Sequence, residues 1–171
     1  MTNQKTALIT GATSGFGAAA ARKFARSGWK VVATGRRGDR LKTLCAELGA
    51  DRVHGCAFDM RSLAAIDTAI AGLPAAFRDI DLLINNAGLA LGTAPAQKAD
   101  LQQWQQMIET NVTGLVTLTH KLLPTLIARK GAVINISSVA AEKGGRGQTN
   151  YAASKGAING MTRSLACEVA A

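Results

Sequence analysis

Apolar positions follow two alternating rhythms along this chain. Short runs rich in Val, Ile and Leu stand at Ala7–Thr10, Lys30–Thr34, Arg52–Phe58, Asp81–Asn85 and Ala132–Ser137. Their near-continuous apolar character is that of strands in a parallel sheet covered on both faces. Between them lie stretches with helical spacing, at about Gly17–Ser27, Asp39–Leu48, Ser62–Ala71, Leu101–Arg129 and Tyr151–Val169. Ser62 and Asp100 are placed to cap their helices, because a short side-chain oxygen there accepts from first-turn N–H groups that have no partner. The β-α-β-α order predicts a doubly wound α/β fold with a parallel sheet and right-handed crossovers. No repeat, low-complexity tract or linker breaks this order, so residues 1–171 read as a single domain.

One helix departs from a simple two-faced pattern. In the stretch Asn111 to Arg129, Leu115, Leu118, Leu122 and Leu126 are placed to face the sheet, while Val116, Leu123 and Ile127 need a second cover. A loop or helix of the same chain would serve. A subunit interface is the favoured reading and predicts a homo-oligomer, a dimer or tetramer. Pro124 can bend this helix.

Composition narrows the class. At 171 residues the chain is long enough for one sizeable core, and 47% apolar with 18% charged residues argues against disorder. No apolar run approaches the ~20 residues of a membrane span. The first hydrophobic stretch, Thr6 to Thr10, runs directly into a glycine-rich loop and does not read as a signal peptide, so a cytoplasmic location is expected. Cys45, Cys56 and Cys167 form no Cys-x-x-Cys pair and read as small hydrophobes in a reducing compartment. His54 and His120 have no spaced partner, and no metal is expected. The net charge of +9 raises nucleic acid as a partner. The basic residues are scattered, however, and only 4% of residues are aromatic, so nucleic-acid binding is not expected.

Chemistry enters at the first loop. Gly11, Thr13, Ser14, Gly15, Phe16 and Gly17 bridge the first strand to the first helix. Glycines allow a tight turn and a close approach of a diphosphate to the backbone, and the helix N-terminus offers free N–H groups and a positive dipole end. The spacing G-x-x-x-G-x-G directly after a strand points to dinucleotide binding. After the second strand, where a carboxylate would grip ribose hydroxyls, the chain has Arg36-Arg37. Two guanidiniums suit a 2′-phosphate, which predicts NADP(H) over NAD(H). The alternative, two arginines that only decorate a loop, predicts equal affinity for both cofactors.

A second constellation lies near the other end. Tyr151 and Lys155 stand one helical turn apart on one face, and Ser138 ends the last strand-like run upstream. Hydride addition to a carbonyl leaves negative charge on oxygen, which needs a proton and hydrogen-bond donors. A free phenol has a pKa near ~10, and a nearby ammonium stabilises its anion. A serine hydroxyl can orient the oxygen. The competing reading is a Tyr and a Lys that merely face solvent.

Taken together these residues make the chain resemble a short-chain dehydrogenase/reductase, over essentially its whole length. The matching pieces are Thr10–Gly17, Asp59, Asn85-Asn86-Ala87-Gly88, Asn111, Ser138 and Tyr151-x-x-x-Lys155. The resemblance implies a Rossmann fold. It also implies that Asp59 contacts adenine with Met60 beside it, and that Asn86, Ala87 and Gly88 line the cofactor. By the same likeness Asn111 holds a water in a proton relay, Ser138 binds the substrate oxygen, Tyr151 is the acid/base, and Lys155 binds the nicotinamide ribose and tunes the tyrosine. The tracts Thr10–Gly17, Ala33–Arg37 and Asn85–Gly92 are similar to dehydrogenases of short 3-hydroxy acids such as serine. The tract Glu142–Tyr151 is similar to 3-oxoacyl-(acyl-carrier-protein) reductases. Substrates expected on this likeness are a hydroxy or oxo acid, or an oxoacyl thioester. Arg146 would meet a substrate carboxylate, unless it is only a loop charge. Members of the family usually continue into further strands, so a C-terminally truncated fragment with an exposed sheet edge is expected. A dinucleotide-binding module without turnover is the alternative function, and a basic nucleic-acid-binding protein the third.

Overall fold

The structure is a computed structural model that describes residues 4–170. Five parallel strands form one sheet: β1 (Thr6–Ile9), β2 (Lys30–Gly35), β3 (Val53–Ala57), β4 (Ile80–Asn85) and β5 (Ala132–Asn135). Their order is β3-β2-β1-β4-β5, so the chain starts at the centre, winds to one edge and then crosses to the other. The order reverses beside β1, and in such sheets a crevice opens at that point outside the carboxyl ends of the strands.

Side chains of successive residues leave opposite faces of a strand, and both faces are buried here. Ala7 and Ile9 pack with Val31, Ala33, Ile84, Ala21, Ala25, Leu41 and Leu44 on the side of α1 (Gly15–Arg26) and α2 (Gly38–Leu48). Leu8, Val32, Leu83 and Ile80 pack on the other side with Ile66 of α3 (Leu63–Ala71) and with Leu118, Leu122 and Leu126. This two-sided cover explains why the strands read as continuous apolar runs. Both expected caps are made: the Ser62 side chain accepts from Ala65 N–H, and that of Asp100 from Gln102 N–H.

The stretch expected as one helix from Leu101 to Arg129 is three pieces. α4 (Leu101–Ile108) leads into a wide π turn (Glu109–Thr113), and α5 (Gly114–Ala128) follows with Pro124 inside it. Leu115, Leu118, Leu122 and Leu126 are buried as expected, while Val116 and Ile127 are exposed and Leu123 is half-buried. A short helix, α6 (Ala140–Lys143), was not legible in the pattern; α7 (Thr149–Val169) begins two residues ahead of Tyr151. β5 forms one edge of the sheet, as expected, with Ile134 exposed on it and Ile136 exposed just beyond it.

Candidate active site

The loop between β1 and α1 is pinned to the loop after β4. Thr10 is buried, and its hydroxyl accepts from the backbone N–H groups of Asn86 and Ala87 at 3.0 and 2.9 Å. Asn86 Nδ2 returns a bond to Thr10 O at 2.8 Å. Gly11 has φ +67°, and a Cβ there would stand 2.9 Å from Ala87 Cα. Gly17, in the first turn of α1, lies so close to Gly11 O that no side chain fits between them. The first turn of α1 carries no acidic residue, so its dipole end is left for an anion.

A cavity of about 290 Å³ opens beside this loop. Gly11, Thr13, Ser14, Phe16, Arg36 and Arg37 line one part of it. Asp59, Met60, Asn86, Ala87 and Gly88 line another. Gly15 and Gly17 shape the loop without lining this cavity. Arg37 is held in place: its guanidinium donates to Thr13 Oγ1 at 2.8 Å and to Ser14 Oγ at 2.8 Å. Asp59 is gripped by Arg61, whose guanidinium and neighbouring Arg36 hold its carboxyl below the usual carboxylate range. Thr34, Gly35, Phe58, Leu89 and Thr110 also line the cavity, although the sequence gives none of them a site role of its own. Thr34 and Gly35 end β2, Phe58 follows β3, Leu89 lies in the loop after β4, and Thr110 comes from the π turn.

Gly88 links this cavity to the second constellation. A Cβ on Gly88 would lie 3.3 Å from both Asn111 Oδ1 and Lys155 Nζ, so the glycine lets both groups come close to the same strip of backbone. Asn111 is fully buried in the π turn, a geometry often found at functional sites. Its side chain accepts from Leu89 N–H at 2.9 Å and donates to Leu89 O at 2.9 Å and to Ser154 Oγ at 3.0 Å. Lys155 is 4% exposed and donates to Ile136 O at 2.7 Å. Its ammonium lies 6.0 Å from the centre of the Tyr151 ring. Ser137 Oγ donates to Lys155 O at 3.4 Å, and Ser138 Oγ accepts from Ala140 N–H at 3.2 Å. Ser138 thus stands two residues ahead of α6, which packs on α7.

Burial holds the Lys155 ammonium below the ordinary lysine value of 10.5. The folded chain therefore gives up this proton more readily than the unfolded chain does. Stability should rise as pH climbs from the lowered folded value towards 10.5. In Lys155→Met that component is missing. Urea unfolding of both proteins at about pH 8 and about pH 10 should show a smaller gain for the variant; an equal gain would refute the buried-ammonium account.

A polar ladder also holds α7, and the sequence did not announce it. Asn85 and Asn135 are register partners across β4 and β5. Asn85 Nδ2 donates to Asn135 Oδ1 at 2.8 Å and to Thr119 Oγ1 of α5 at 2.9 Å, and Asn135 Nδ2 donates to Thr162 Oγ1 of α7 at 2.8 Å. At the other end of α7, Asn150 Nδ2 donates to Trp104 O at 2.8 Å. The helix carrying Tyr151 and Lys155 is thus tied to α4, β5 and, through Asn85, to β4.

The sequence profile of the short chain dehydrogenase family matches residues 5–171. A serine 3-dehydrogenase of Rhizobium radiobacter is 63% identical over 136 residues, which are 80% of this chain and 54% of that protein. The chain thus spans about half the length of that relative. A solved structure of the closed form of a serine dehydrogenase complexed with NADP+ superposes with a TM-score of 0.93 at 44% identity, covering 95% of this chain and 66% of that one. A 3-ketoacyl-(acyl-carrier-protein) reductase of Brucella melitensis, complexed with NADH, gives a TM-score of 0.91 at 32% identity over 97% of this chain and 70% of its own. The two likenesses expected for the two parts of the sequence both appear among these proteins. No helix among the described residues is long and apolar enough to cross a membrane.

Proposed function

This chain belongs to the short chain dehydrogenase family, and we propose that it serves an NADP(H)-dependent oxidoreductase that interconverts a secondary alcohol and a carbonyl. One observation supports this above the others. The cavity lined by the two arginines reaches Gly88, and against Gly88 packs the ammonium of a buried lysine that stands one turn from a tyrosine. Residues 1–171 act in this reading as one dinucleotide-binding domain.

The residues present suit the cofactor. Gly11 and Gly17 leave a cradle that any Cβ would fill, the uncompensated α1 terminus suits a diphosphate, and Arg36 and Arg37 suit a 2′-phosphate. Asp59 and Met60 would meet the adenine, Asn86 and Ala87 the middle of the molecule, and Lys155 the nicotinamide ribose. When bound, the nicotinamide supplies or accepts the hydride. In the reducing direction Tyr151 gives its hydroxyl proton to the substrate oxygen, and Ser138 donates a hydrogen bond to the same oxygen. The Lys155 ammonium offsets the charge left on the phenol oxygen. The Asn111 side chain is spent on Leu89 and Ser154, so a relay water would be held by its main-chain carbonyl in the π turn.

The proposed substrates are short 3-hydroxy or 3-oxo acids, a reading that the name of the serine 3-dehydrogenase supports. The oxoacyl thioesters remain the second candidates. The uncovered α5 face with Val116 and Ile127 supports a homo-oligomer, and the three free thiols fit the reducing cytoplasm. The test is direct titration with NADPH and NADH, followed by NADPH consumption with short oxo acids and oxoacyl thioesters. The chain should bind NADPH at least about tenfold tighter, and Arg36→Ala should remove most of that margin. Equal binding of both cofactors by the parent chain would defeat the cofactor assignment. Tight binding without turnover on any substrate would identify a nucleotide-binding module instead.

A further inference from the structure

Asp59 presents an electrostatic difficulty in a cleft meant for a phosphate. Its carboxylate lines the same cavity as Arg36 and Arg37, and its charge is felt by Arg36. Left alone, that carboxylate would repel a 2′-phosphate dianion and draw the Arg36 guanidinium away from it. Arg61 answers it. Its Nη2 donates to Asp59 Oδ2 at 2.8 Å, its Nε lies 3.1 and 3.2 Å from the two oxygens, and its backbone N–H donates to Oδ1 at 3.0 Å. Asp59 lines the cavity and Arg61 does not. The chain turns sharply here, with Ser62 N–H donating to Asp59 O at 3.0 Å, which brings a guanidinium two residues on back onto the carboxylate.

We propose that Arg61 is a specificity-determining residue that neutralises Asp59 and so leaves Arg36 and Arg37 free for the 2′-phosphate. This rests on the NADP(H) reading above. Both cofactors carry the same adenine, so any change in how Asp59 meets the ring cancels in the ratio of the two affinities. The charge does not cancel, because only NADPH carries the 2′-phosphate. Arg61 acts through Asp59 and is a positioning residue for the arginine pair, with no contact of its own to the cofactor required.

The test is calorimetric titration of the parent chain, Arg61→Ala, Arg61→Lys and Asp59→Asn/Arg61→Ala with NADPH and with NADH, at low and high salt. Arg61→Ala should weaken NADPH by about tenfold at low salt and NADH by less than about twofold, the scale expected for one uncancelled charge near a partly exposed dianion. Added salt should narrow that gap. Arg61→Lys should recover part of the preference, and the double variant should recover most of it. Arg61→Ala with the parent's ratio, an equal loss of both cofactors, or a double variant that stays impaired would each overturn the role of Arg61. A parent chain without NADPH preference would instead overturn the cofactor reading on which it stands.

Discussion

Tyr151→Phe is expected to lower the rate of carbonyl reduction by about 10²–10⁴-fold, the usual worth of a positioned acid or base. The change removes one oxygen and nothing else. Tyr151 is half-buried at the start of α7, and that helix is anchored independently by Asn150 on Trp104 O, by Ser154 beside Asn111 and by Lys155 on Ile136 O. The helix should therefore stay in place, and NADPH affinity should shift by less than about threefold, below 1 kcal/mol. Single-turnover rates with the best substrate of the panel, together with cofactor titration, separate the two effects. A variant that reduces the carbonyl at nearly the parent rate would remove Tyr151 from the chemistry.

Gly17→Ala should cost the fold about 2–3 kcal/mol and weaken NADPH binding by at least about tenfold. The added methyl would fall against Gly11 O and 2.5 Å from Asn86 Nδ2. Neither neighbour can retreat cheaply. Gly11 is fixed by its own approach to Ala87, and Asn86 Nδ2 is engaged by Thr10 O. Relief would require α1 to slide away from the loop, which moves the helix terminus intended for the diphosphate. Gly160→Ala is the control, since a Cβ there meets no atom within 4 Å and the position lies in the middle of α7. It should stabilise by about 0.5–1 kcal/mol. Urea unfolding and cofactor titration of both variants check the contrast; a Gly17→Ala protein as stable and as tight as the parent would mean the loop is far softer than its contacts imply.

Much of this site was legible before the fold was known. Gly11, Arg36-Arg37 and Tyr151–Lys155 announce themselves because each needs a particular residue type at a particular distance along one segment. The same holds for the caps Ser62 and Asp100 and for the leucines of α5. What escaped has no such local mark. Apolar periodicity runs through the π turn at Glu109–Thr113 nearly unchanged, so a widened turn looks like continuous helix. Four residues of α6 are too few to show a period. Asn85 and Asn135 are far apart in the chain and meet only through strand register, and Thr162 joins them only because α7 crosses that face. Arg61 reads as an ordinary surface charge until the turn at Asp59 folds it back.

Arg37 stands ready before any ligand arrives. Thr13 and Ser14 already restrict its long side chain, so much of its rotational freedom is surrendered during folding and little is left to lose at capture. The hydroxyls that hold it are neutral and exchangeable, and a phosphate can replace them with a stronger, charged acceptor. Association should accordingly be governed by electrostatic encounter, with little waiting for a rearrangement, and the on-rate for the phosphorylated cofactor should fall as ionic strength rises.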